Sequence, residues 1–186
     1  MDSELFWKLL EPHHPKAEAF CRKLTGDKND GDDLYQDGLL TAMRKFQMLK
    51  DHESFRAWLF RILVNSFKNR QRNAWWRRFS PATGREVDNR GENPGDRYDA
   101  RRWLETALAT LKPEDRAMVV LFEIEGWPIA ELSAMFGTPE GTVKARLSRA
   151  RRKMRQALER WLPKQETNFS ASEGRYALQR SDAADK

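Results

Sequence analysis

Apolar residues recur at helical spacing in several separate segments, and no stretch of strand-like alternation competes with them. Leu5, Leu9 and Leu10 predict a short first helix ending near Pro12. Ala17, Phe20, Cys21 and Leu24 predict a second, stopped near Gly26. Asp32 and Asp33 suit the positive start of a third helix, which would turn Leu34, Leu39, Met43 and Phe46 inward and run to about Leu49. Ser54 then reads as the cap of a long fourth helix reaching about Phe79. Residues 80–98 contain Pro81, Gly84, Gly91, Pro94 and Gly95 among polar residues and read as a linker. Helical patterning resumes near Asp99. Pro113 suits the first turn of a helix over 113–125, which Gly126 ends. A short helix over 128–136 precedes Gly137-Thr138-Pro139 and a long helix over 139–162. The expected fold is all-α: two small helical domains, 1–79 and 99–162, joined by a flexible linker, with a polar tail at 163–186.

Two of these helices have distinct faces. At 100° per residue, Arg61, Asn65, Lys68 and Arg72 of the fourth helix fall within about 60° of one another. Phe55, Trp58, Leu59, Ile62 and Leu63 gather on the far side. Trp75 and Trp76 extend the cationic row. Cations interleaved with aromatics suit single-stranded nucleic acid, because charges follow phosphates while rings stack on unpaired bases. A solvated charged face with both Trp in the core is the alternative for this helix. In the second block, Ile129, Leu132, Met135 and Phe136 form the inner face of a short helix, Gly137 permits a sharp turn, and Thr138 is placed to cap the next helix. Val143, Leu147 and Ala150 point back, leaving Lys144, Ala145, Ser148, Arg149 and Arg152 outward. That is the geometry of a helix-turn-helix whose second helix enters a major groove. Arg149 suits a guanine edge and Ser148 a base or phosphate, while Arg146, Arg151 and Arg155 suit phosphates.

Charge sharpens this picture. The 186 residues carry 34 basic and 28 acidic side chains, a formal +6. Residues 61–78 hold six cations and no acid, and residues 141–155 hold seven cations and no acid. These two cassettes leave the other 153 residues at −7. The protein is acidic apart from two basic helices, the footprint of a polyanion partner. One cysteine precludes an intramolecular disulfide, and three His with one Cys offer no zinc-ligand spacing. No constellation for catalysis or cofactor binding accompanies the acid pair Asp32-Asp33. An acidic N-terminus and the lack of a long apolar run argue against a signal peptide and membrane insertion, so a cytoplasmic, nucleoid-associated protein is expected.

Taken together, the segments resemble the small bacterial RNA polymerase sigma factors of the extracytoplasmic-function (ECF) group. The resemblance lies in Asp32-Asp33-Leu34-Tyr35-Gln36-Asp37, in Ser54-Phe55-Arg56-Ala57-Trp58-Leu59-Phe60-Arg61-Ile62 followed by Asn65, and in the run from Gly137 to Arg151. It implies that the first block is a sigma region two, whose third helix docks on the clamp helices of the polymerase β′ subunit through Asp33, Leu34, Gln36 and Asp37. The loop Gln47–Glu53 and the fourth helix would hold the melted minus-ten element, with Arg61, Asn65, Lys68, Arg72, Trp75 and Trp76 as its DNA residues. The second block would be a sigma region four, binding the β flap and reading the minus-thirty-five element through Lys144, Ala145, Arg146, Ser148, Arg149 and Arg152. The implied partners are core RNA polymerase, promoter DNA and an anti-sigma factor. Where family members more often carry a Ser or Thr cap before the helix-turn-helix, this chain has Trp127-Pro128. A helix-turn-helix regulator that never joins polymerase is the alternative function, and a nucleic-acid-processing enzyme is a third, weaker one.

Overall fold

The computed structural model of the chain describes residues 3–79 and 96–159, and the side chains of 3–74 and 101–159. Among these residues all regular structure is helical: α1 (Ser3–Leu10), α2 (His14–Thr25), α3 (Lys28–Lys45), α4 (Phe55–Phe79), α5 (Asp96–Ala109), α6 (Pro113–Val119), α7 (Ile129–Phe136) and α8 (Glu140–Glu159). Short 3₁₀ turns at Phe46–Met48 and His52–Ser54 link α3 to α4, and a π-helical turn, Val120–Ile124, extends α6. The expected linker lies outside the described residues over 80–95, and so does the tail from 160 onward.

The helix starts differ from the sequence reading for local reasons. Helix α3 begins at Lys28, because the Asp27 carboxylate accepts the backbone N–H of Asp30 at 2.9 Å and caps the helix before Asp32 is reached. Ser54 does not cap α4. Its hydroxyl donates to the Asp51 carbonyl at 2.8 Å, and the Asp51 side chain accepts from the Glu53 N–H at 3.0 Å, so Asp51 organises the turn. Thr138 likewise makes no cap: its hydroxyl is buried without a protein partner. The turn is closed by Ser133, whose hydroxyl donates to the Thr138 carbonyl at 2.6 Å. Gly137 supplies the left-handed φ of 62° that this turn needs.

The first block packs α2 on α3 and α3 on α4. Gly31 makes the first crossing possible; a Cβ there would lie 2.4 Å from the Arg22 Cα. Phe20, Cys21, Leu24, Leu34, Leu59 and Leu63 are essentially fully buried in the resulting core. The second block packs α7 and α5 on α8, with Leu132, Val143 and Leu147 inside.

The two blocks do not stand apart in this structure. Helix α4 also packs against α6 and α7, and the buried residues of both blocks form one contiguous cluster. On a helical wheel the reason is visible. Phe55, Leu59, Ile62 and Leu63 face the first block, whereas Phe60, Val64 and Phe67 lie on an adjacent arc and are equally buried. Together these positions cover about 200° of the helix, too wide for a single flat contact. Trp127 fills that second arc: it is 1% exposed, its ring centroid lies 5.1 Å from that of Phe60, and the Arg56 guanidinium sits 4.0 Å above it. Losing such a ring typically costs about 3–5 kcal/mol.

Candidate nucleic-acid interface

The polar stripe of α4 occupies the arc left free by the two packed ones. Arg61, Asn65 and Arg72 are exposed, and Arg72 donates to the Asn69 side-chain oxygen at 3.2 Å. Lys68 lies on the edge of the stripe nearest the second block, and its ammonium is hydrogen-bonded to the carboxylate of Glu114 at the start of α6. Trp75 and Trp76 fall within the helical span of α4, but their side chains lie outside the described residues. The adjoining loop presents Met48, 76% exposed, at its tip, while His52 stacks on Phe46 with ring centroids 5.8 Å apart.

On α8 the structure sorts the predicted residues into two groups. Lys144, Ala145, Ser148, Arg149 and Arg152 are exposed along one face with no acid on it, beyond a marginal 4.0 Å approach of Glu140 to Lys144. Arg146 is not on that face. It turns back to α6, where Nε donates to Asp115 at 2.7 Å and Nη2 to Glu114 at 3.2 Å. Its side chain is 17% exposed, so in this arrangement it offers little to a partner. Arg151 is also engaged, with Glu123 at 2.6 Å.

The acidic end of α3 divides the same way. Asp33, Gln36 and Asp37 are exposed on one side of the helix, and exposed Leu40 continues it. Leu34 is 1% exposed and belongs to the core, so it supports this face without being part of it. Asp33 has a loose partner in Arg70 at 3.6 Å. Asp32 points the other way, bound to Arg22 Nε at 2.5 Å, and that hydrogen bond holds its carboxyl below the usual range.

Sequence reasoning missed the residues that join the blocks. Arg56 pairs with Glu131 at 3.1 Å as well as covering Trp127, and Lys23 pairs with Glu125 at 2.6 Å. Glu114 is shared by Lys68 and Arg146, and its carboxyl is held below the ordinary range, first by the Lys68 hydrogen bond and further by Arg146. A groove of about 640 Å³ runs along this seam, lined by Lys68, Arg72, Lys112, Glu114 and Arg146 among others. The available signals were Trp127, a large aromatic where a capping residue was expected, and the second apolar arc of Phe60, Val64 and Phe67 on α4.

No group of three metal-binding side chains occurs among the described residues, and none of their helices is long and apolar enough to cross a membrane.

Comparison with known proteins places both blocks in one family. Residues 9–77 match the family model for Sigma-70 region 2, and residues 101–154 match that for Sigma-70, region 4. The ECF RNA polymerase sigma factor SigM of Mycobacterium tuberculosis is 31% identical over 163 residues, covering 84% of this chain and 79% of SigM. SigL of the same organism, also an ECF RNA polymerase sigma factor, is 30% identical over 161 residues, 85% of this chain and 91% of SigL. Among solved structures, the sigma factor RpoE of Bartonella quintana, crystallised with the anti-sigma factor NepR, aligns with TM-score 0.64 at 28% identity, covering 83% of this chain and 96% of that one. CnrH in complex with the cytosolic domain of CnrY aligns with TM-score 0.61 at 24% identity and supports the fold alone.

Proposed function

The chain belongs to the ECF RNA polymerase sigma factors, and we propose that it discharges that role through three surfaces. The exposed side of α3, with Asp33, Gln36 and Asp37, docks on the β′ clamp helices of core polymerase. Arg61, Asn65, Lys68 and Arg72 of α4, with Trp75 and Trp76 beyond them, hold the melted minus-ten strand together with the Gln47–Glu53 loop. Lys144, Ala145, Ser148, Arg149 and Arg152 of α8 read the minus-thirty-five duplex, and the second block engages the β flap. The working units are 1–79 and 99–162, the second entered through the first residues of α5 at 96–98, with the rest of 80–98 as the tether and 163–186 as an appendage.

The observation that carries this reading is the pairing of two cationic helix faces in one chain. One is the acid-free outer face of a helix-turn-helix, suited to a duplex groove. The other is a row of cations and an amide on α4, suited to unpaired bases and their phosphates. Strand opening then needs no catalytic group, since trapping unstacked bases offsets a cost of a few kcal/mol per base. We assign no enzymatic activity to the chain, place it in the cytoplasm at the nucleoid, and expect an anti-sigma protein among its partners, as RpoE has NepR.

Runoff transcription with purified core enzyme across a genomic promoter library tests the proposal. Initiation at a defined promoter subset is expected. Duplex binding without any polymerase-dependent initiation would instead indicate a regulator that does not join polymerase.

A further inference from the structure

The three proposed surfaces leave two features of the chain unused. One is a groove of about 570 Å³ between α1 and α3, a volume typical of sites that receive a small ligand or a few side chains. Leu10 and Tyr35 form its floor at 2% and 5% exposure, and half-buried Leu39 stands beside them. Trp7 lines it too and is 47% exposed, with Phe6 edge-on to its ring at 5.6 Å. A large aromatic left in water beside an apolar floor marks a surface that another segment covers. The α1 wall carries Glu4 and Glu11 two helical turns apart with Lys8 between them, and none of the three forms an ion pair among the described residues.

The other unused feature is the segment 163–186. Its large apolar side chains are Phe169, Tyr176 and Leu178, and the last two fall within Arg175-Tyr176-Ala177-Leu178-Gln179-Arg180. Residues two positions apart share one side of an extended chain. An apolar pair between two cations therefore complements an apolar floor beside two unpaired acids. Reach is sufficient. The 16 residues from Glu159 to Arg175 span up to about 50 Å when extended, whereas a folded body of about 140 residues has a radius of gyration near ~14 Å.

We propose that residues 175–180 dock in the α1–α3 groove of their own chain, with Tyr176 and Leu178 on the floor and Arg175 and Arg180 toward Glu4 and Glu11, and that the docked segment competes with core polymerase for α3. The competition follows from the helix. Tyr35 and Leu39 form one row along α3, and exposed Gln36 and Leu40 form the next, so a chain lying on the first crowds the second. A tethered segment works at a local concentration of about 1 mM, so a groove Kd of only about 0.2 mM lowers the affinity for polymerase about sixfold. The competition rests on the assignment of α3 to polymerase; the docking does not.

The test uses the full chain with Tyr176 replaced by the photoreactive p-benzoylphenylalanine, irradiated without any partner and mapped by mass spectrometry. Cross-links within one chain to residues around Trp7 and Leu39 are expected. Glu4→Lys/Glu11→Lys should cut their yield at least fivefold, and adding Arg175→Glu/Arg180→Glu should restore it, since exposed pairs are each worth up to about fivefold. Glu4 and Glu11 are exposed, so the fold tolerates both changes. Affinity for purified core polymerase is measured separately on the unlabelled wild type and on Tyr176→Ser/Leu178→Ser, which should bind about sixfold more tightly. Cross-links elsewhere in the chain, cross-links only between two chains, or a yield indifferent to the charge reversals overturn the docking. Equal polymerase affinity of the two proteins overturns the competition. Failure of both to bind core polymerase while the cross-link forms rejects the assignment of α3, and the competition with it, and leaves the docking standing.

Discussion

Replacing Gly31 by alanine adds one methyl group at the tightest point between α2 and α3. The new Cβ would lie 2.4 Å from the Arg22 Cα and 2.7 Å from both its N and its Cγ. Non-bonded carbons rest at about 3.5–4.0 Å. The Cγ can swing away, but the Cα and N belong to the α2 backbone, so the helices must separate by about 1 Å. They are fixed on the core side by Phe20, Cys21 and Leu24 of α2 and Leu34 of α3, all at or near zero exposure. Overpacking of this kind costs about 1–3 kcal/mol, and a clash with backbone belongs at the upper end. Alanine recovers up to about 1 kcal/mol of helix propensity. The expected net is a loss of about 2 kcal/mol, a fall in Tm of about 4–8 °C for a chain of this size.

The matched control is Gly141→Ala in the first turn of α8, where a Cβ meets nothing within 4 Å. There only propensity acts, and stability should rise by up to about 1 kcal/mol. Thermal melts and urea titrations of the full chain read both signs. A Gly31→Ala protein melting at or above the wild type would refute the close-approach reasoning. The variant also displaces the helix carrying Asp33, Gln36 and Asp37, so affinity for core polymerase should fall with Gly31→Ala and hold with Gly141→Ala.

Other consequences are open to direct measurement. The Cys21 thiol is fully buried and its pKa is pushed up by that burial, then by Asp32 and Glu18; native protein should resist iodoacetamide at pH values where the urea-unfolded chain is labelled readily, and comparable rates would contradict the packing. Glu114 and Asp32 both have folded-state pKa values below their ordinary ones, so the stability they contribute is present above the ordinary carboxylate range and lost as pH falls through it. The Tm difference between wild type and Glu114→Gln should accordingly shrink from about pH 6 to about pH 3, and a constant difference would remove the charge from the explanation. Arg149→Ala should weaken upstream-element binding by about 1–3 kcal/mol on the preferred sequence and little on others, while an equal loss on all sequences would make Arg149 a phosphate contact. Asn65→Ala should impair promoter opening with polymerase binding retained, and a pre-melted template should rescue it; failure of that rescue would take Asn65 out of strand capture.

What could be read from the sequence, and what could not, divides along the range of the interactions. The helix-turn-helix was legible because its determinants are local: Gly137 must take positive φ, and Val143, Leu147 and Ala150 repeat at the period that turns them inward. The stripe of Arg61, Asn65, Lys68 and Arg72 was legible by the same periodicity. Helix starts were less so, because Asp27 and Asp51 competed for capping with equally suitable neighbours, and only the folded turn selects the winner. The pairing across the seam was not legible. Phe60, Val64 and Phe67 announce a second buried arc on α4, but nothing within α4 says that Trp127 covers it. The shared carboxylate of Glu114 joins Lys68, 46 residues earlier in the chain, to Arg146, 32 residues later. Pairing at that distance depends on the fold and leaves no periodic trace. Counting cations by sequence therefore overstates what this arrangement offers a polyanion: Lys68 and Arg146 are engaged between the blocks, while Arg61 and Arg72 on α4 and the row on α8 stay exposed.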